Sequence, residues 1–159
     1  MEEHETKSTK EIAKTMSHKG NETATKLEEL AKQTLASLEL ISEPEEKSIL
    51  REKACGQYQS AAIIRSSHAR RHRQDGELQK SITEYLRSAE DYVQCGKISC
   101  EDDRNERATI CFDEAITQYY EAGREDLIIE IHREYGQLGI KKQLILGKMY
   151  FPLDDDQME

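Results

Sequence analysis

Two stretches of this chain share one spacing: Tyr85, Ala89, Tyr92 and Gly96 in the first, and Ile128, His132, Tyr135 and Gly139 in the second. Each sets a large residue, then a small or polar one, then a tyrosine, then a glycine at the same intervals. The separation of the two copies falls in the ~20–50 residue range of repeat units, and internal repetition of that period points to stacked helical hairpins. A second pattern recurs beside it. Ala54-Tyr58-Ala61, Ala108-Phe112-Ala115 and Ala115-Tyr119-Ala122 all bracket an aromatic between two alanines. Alanine lets neighbouring helix axes approach, and the ring fills the groove between them.

Composition agrees with helices. Of 159 residues, 36% are hydrophobic and 35% charged, with two prolines and eight glycines. That balance suits amphipathic helices with wide solvated faces, and the frequent turn signals of an all-β chain are missing. Apolar periodicity predicts six helices, over 22–41, 44–73, 77–95, 103–122, 124–137 and 141–149. Pro44 suits a first helical turn, Asp75-Gly76 and Gly123 mark stops, and Gly96 reads as the residue that ends the third helix. Residues 1–20 lack an apolar stripe and are expected to form a flexible polar tail. One helical domain is expected over 21–151, followed by an acidic tail over 152–159.

These residues resemble the tetratricopeptide type of helical repeat, in the longer-hairpin form of the soluble NSF attachment protein group. Tyr85, Ala89, Tyr92 and Gly96 fill the pattern of that family's first helix, and Ala108, Phe112 and Ala115 that of its second. Ser88 stands where the family has leucine. The resemblance covers about residues 78–139. It implies an all-α stack of antiparallel hairpins and a role in binding another protein or peptide along the inner surface of the stack.

Charge narrows the partner. The net charge is −9 and the sequence pI about 5.2, which argues against bulk affinity for nucleic acid or anionic membrane. One segment runs against that sign. Residues 65–73 hold Arg65, His68, Arg70, Arg71, His72 and Arg73 with no acid among them. Arginine forks match phosphate and carboxylate geometry, so these six residues are the candidate partner- or anion-binding set. The alternative function is thus a helical bundle that binds phosphate, nucleic acid or acidic ligands. Arg65, His68 and His72 continue the line of Leu50, Ala54, Tyr58 and Ala61, so the second helix is expected to project beyond its neighbours and offer them to a partner. Acids available inside the chain are Glu77, Glu84 and Asp91.

No catalytic, cofactor or metal site is expected. His68 and His72 lie four apart, but Ala69, Arg70 and Arg71 stand between them in place of a zincin glutamate. No glycine-rich phosphate loop, calcium loop or ordered Ser-His-Asp set occurs. Cys55, Cys95, Cys100 and Cys111 show no paired ligand spacing. With no apolar leader at the N-terminus and no membrane span, the expected setting is cytoplasmic, where all four would be reduced thiols.

Overall fold

Residues 2–152 are described in the computed structural model of the chain, with side chains described at Glu11 and from Lys19 onward. Among them lie five α-helices: α1 (Glu2–Ala36), α2 (Pro44–Gln74), α3 (Leu78–Glu101), α4 (Asn105–Glu121) and α5 (Glu125–Tyr135). Short 3-10 turns follow α1 and α5, and the chain then forms two strands, β1 (Gln143–Ile145) and β2 (Lys148–Tyr150). The protein is therefore mainly helical. Helix α1 begins well ahead of the expected start at Glu22. Lys19-Gly20, read as the end of a tail, lies inside it, and Gly20 packs so closely on the His68 ring that a side chain would collide. The acidic segment expected over 152–159 lies, past Pro152, outside the described residues.

Each helix packs on the next in sequence, with α2 against α3 the most extensive pairing. The three turns that join α2 to α5 are built alike. Gly76 (φ 77°), Asp103 (φ 55°) and Gly123 (φ 73°) take the left-handed conformation. In each turn the following amide donates five residues back: Glu77 N to His72 O at 2.8 Å, Arg104 N to Ser99 O at 2.8 Å, and Arg124 N to Tyr119 O at 2.9 Å. This closure satisfies carbonyls that a helix end leaves free. Aspartate fills the left-handed site in the middle turn because its short polar side chain tolerates that conformation.

That aspartate corrects the reading of Gly96. Helix α3 continues through Gly96 to Glu101, so Gly96 is no stop. Its lack of a side chain serves packing instead. A Cβ there would lie 2.7 Å from the Phe112 ring, which is fully buried. Phe112 stacks in turn on Tyr135, with ring centroids 4.1 Å apart. The first and second copies of the spacing thus meet across this ring.

The α2–α3 seam is lined by small residues. Ala62, Ala69 and Ala89 have no exposed surface. Ser81 Oγ donates to Ala69 O at 2.8 Å and Ser88 Oγ to Ala62 O at 2.7 Å. A leucine at 88 would push the helices apart, and serine lets the hydroxyl reach a backbone carbonyl of the facing helix.

The sixth helix is replaced by the β-hairpin. Gln143 pairs with Tyr150 and Ile145 with Lys148 around Leu146 (φ 50°) and Gly147 (φ 76°). Two consecutive positive φ values define the tight turn that matches the twist of paired strands. Asp113 of α4 accepts the amides of Lys141 and Lys142 at 3.1 and 2.9 Å. Leu144 and Met149, on one face of the hairpin, pack on the main core.

Candidate binding groove

The stripe expected to project from α2 turns inward at its first member. Arg65 is 3% exposed. Its Nε donates to Glu28 Oε2 of α1 at 3.0 Å, its Nη1 to Glu84 Oε2 of α3 at 3.1 Å, and its Nη2 to Thr25 Oγ1 at 3.3 Å. Asp91 Oδ2 of α3 lies 3.8 Å away. Arg65 thus ties three helices together and is not offered to a partner. Glu84 and Asp91 are the internal acids anticipated for the stripe, and Glu28 is an addition from the helix before it.

The cluster balances its charge by protonation. Arg65 and Arg87, the latter 3.7 Å from Glu84 Oε1, supply two positive charges against the carboxyls of Glu28, Glu84 and Asp91. Burial pushes the Asp91 carboxyl up to about 9, and a hydrogen bond with Glu28 adds to the rise. Burial acts upward on Glu28 too, but its bonds to Arg65 and Asp91 bring it below its ordinary value. With Asp91 protonated, two cations face two anions. The sign for stability follows. The folded chain holds a proton on Asp91 that the unfolded chain releases, so stability falls as pH rises between the ordinary aspartate value of 3.8 and about 9. Glu28 acts oppositely, but only near and below its ordinary 4.5. Urea midpoints are therefore expected to decline from about pH 5 to about pH 8, and Asp91→Asn is expected to flatten that decline. An unchanged slope in the variant would count against a protonated Asp91.

The rest of the basic segment divides. His68 is half-buried beneath Gly20, and burial lowers its pKa, so gain of charge on mild acidification is disfavoured there. His72 Nδ1 lies 3.5 Å from Glu77 Oε1. Arg73 pairs with the Glu121 carboxylate, donates to the Glu121 carbonyl at 2.7 Å, and stacks its guanidinium 4.8 Å from the Tyr85 ring centre. Arg70 and Arg71 are exposed. The structure therefore does not gather the six residues into one site.

Two further concavities matter, and Arg65 lines the first of them. A cleft of about 560 Å³ opens above the Arg65 cluster, lined by Thr25, Glu28, Glu29 and Lys32 of α1, Tyr58 and Arg65 of α2, and Arg87, Glu90, Asp91 and Gln94 of α3. A second, of about 250 Å³, is lined by Glu90, Val93, Gln94 and Lys97 of α3, Tyr119 of α4, and Leu127, Glu130, Ile131, Glu134 and Tyr135 of α5. Glu90 and Gln94 belong to both. The two clefts are therefore neighbours that adjoin at Glu90 and Gln94, and the surface they form over α3 reaches from α1 to α5. Its α5 end has an apolar floor of Val93, Leu127 and Ile131 under a rim of Glu90, Glu130 and Glu134, with Lys97 as the opposing charge. Sequence reasoning did not single these acids out. For Glu90 the signal was present, however, as a polar face on α3 in which Arg87, Glu90, Gln94 and Lys97 recur every three or four residues.

As chemistry, the first cleft offers little beyond ion pairing. Glu28, Glu84 and Arg65 saturate one another, which leaves protonated Asp91 as its least engaged acid. No family model, curated protein or solved structure matches this chain. No helix among the described residues is long and apolar enough to cross a membrane.

Proposed function

We propose that this chain is a non-enzymatic protein-interaction module built as a tetratricopeptide-like stack of helical hairpins, and that its groove takes a basic amphipathic segment of another protein. The single observation that carries this reading is the sharing of Glu90 and Gln94 by the two clefts, which, beside Tyr58 and Arg65 of α2 and Tyr119 of α4, sets next to one another surfaces of α1, α3 and α5. These are the first helices of successive pairs, the set that would line the inner face of such a stack. The recurrent left-handed turns after α2, α3 and α4 support the same architecture. Charge selects the occupant: apolar anchors seat on Val93, Leu127 and Ile131 while lysines or arginines meet Glu90, Glu130 and Glu134.

A labelled helical peptide with leucine anchors and lysine flanks tests this. It is expected to bind more tightly than its glutamate-flanked counterpart and to weaken with salt. Joint Glu130→Lys and Glu134→Lys replacement, at exposed positions, is expected to lower affinity roughly 10-fold or more. Equal binding of both peptides would overturn the reading. The alternative, anion binding by residues 65–73, now rests on exposed Arg70 and Arg71. Tighter binding of the acidic peptide, lost on Arg70→Gln with Arg71→Gln, would favour it instead.

A further inference from the structure

Three cysteines that share no ligand spacing in the sequence meet in the core. Cys55 comes from α2, Cys95 from α3 and Cys111 from α4, and their three Sγ atoms all lie within 4.8 Å of one another. Their exposures are 1%, 0% and 2%. Cys55 and Cys95 are joined as a disulfide, and the Cys111 thiol lies 2.9 Å from Cys95 Sγ. Ala31, Ala54, Tyr58 and Ile98 enclose the group. Ser99 Oγ lies 3.6 Å from Cys55 Sγ, but it already donates to Cys95 O at 2.9 Å. The fourth cysteine, Cys100, is a half-buried free thiol that packs on the core cluster holding Phe112.

We propose that Cys55, Cys95 and Cys111 form, in the reduced chain, a three-thiolate site for a soft monovalent metal ion of the copper(I) class. Three observations support it. The ligands are all sulfur, and thiolates select soft ions such as copper(I) over hard ones. Metal–thiolate bonds near ~2.3 Å set three sulfurs in a trigonal plane ~4.0 Å apart; all three Sγ atoms already lie within 4.8 Å of one another, and reduction frees Cys95 Sγ to move out from Cys55, now bonded to it, and from Cys111 at 2.9 Å. Among the described residues no fourth cysteine, histidine or carboxylate joins the group, so it lacks the fourth such ligand that zinc takes in tetrahedral structural centres.

Loading requires reduction first. A dithiol reductant gives two electrons to the Cys55–Cys95 bond, two protons are taken up by the sulfurs, and the reductant leaves as its own disulfide. The ion then displaces thiol protons as the metal–sulfur bonds form. Metal binding releases the thiol protons, so binding weakens as pH falls. The disulfide and metal-loaded states exclude each other, because the disulfide leaves one ligand of three.

The full chain, reduced and kept anaerobic, is titrated with copper(I) against a chromogenic copper(I) chelator. The expected result is one ion per chain, three sulfur neighbours by X-ray absorption, and no uptake by the oxidised chain. Cys55→Ala, Cys95→Ala and Cys111→Ala, each first shown to be helical by circular dichroism, are expected to lose roughly 100-fold or more in affinity, beyond the losses seen for outer-shell changes. Cys100→Ala is expected to bind as the parent does. Failure of the reduced, folded parent to hold copper(I) against the chelator overturns the site. So does uptake that survives all three replacements but is lost with Cys100→Ala. A cobalt(II) spectrum of a four-coordinate centre, with zinc(II) bound in preference to copper(I), overturns the three-coordinate assignment.

Discussion

Replacement of Arg65 by leucine is expected to lower the unfolding free energy by about 3–5 kcal/mol, the range for breaking a buried charge network from one side. The reason lies in what stays behind. Glu28 and Glu84 each lose a direct hydrogen bond from the guanidinium, and both remain hemmed in by α1, α2 and α3. An apolar side chain in the arginine's place returns neither bond. The loss should appear as a lowered urea midpoint with retained helicity at low denaturant. It should shrink when Glu28→Gln and Glu84→Gln are added, because the stranded charges are then gone. An Arg65→Leu variant as stable as the parent would return Arg65 to the projecting, partner-facing role that its place in a basic run suggested.

The second large effect centres on Phe112. Phe112→Ala should cost about 3–5 kcal/mol, since the ring is fully buried and its removal leaves a cavity under Gly96 and Tyr135. Gly96 gives the sharper test. In the parent, Gly96→Ala is expected to destabilise, because the new Cβ meets the ring at 2.7 Å. In the Phe112→Ala background the same change should become neutral or stabilising, since alanine is better than glycine inside a helix by about 1 kcal/mol. A double-mutant cycle in thermal or urea unfolding reads that change of sign. Additive effects would mean that the ring and the glycine do not share the contact.

The same pair shows how local signals were outvoted. Glycine after a run of apolar residues reads as a helix end because left-handed backbone is easy for it. At Gly96 the ring of Phe112, from the next helix, needed the missing side chain, and the helix ran on until Asp103 could turn it. The segment 141–149 erred the other way. Its Leu144–Leu146 run fits a short buried helix as well as a strand by periodicity alone. Asp113, far away in sequence, collects the amides at its start and leaves Leu146-Gly147 to turn.

What the sequence determined by itself is the helical class, most of the α2–α5 boundaries, and the alanine–aromatic seams. These follow from periodicity, proline placement and left-handed turn residues, all of which act within a few positions of themselves. It also exposed the one segment whose charge opposes the chain's sign. The tertiary structure alone decided the use of that segment. Arg65 became a buried tie because α1 and α3 bring Glu28 and Glu84 to it, and the attraction of paired charges depends on distances that no sequence spacing encodes. Cys55, Cys95 and Cys111 were likewise three unrelated thiols until α2, α3 and α4 packed closely enough to bring them together. The two clefts that meet at Glu90 and Gln94 have the same origin, since side chains from α1 to α5 must come together to line them.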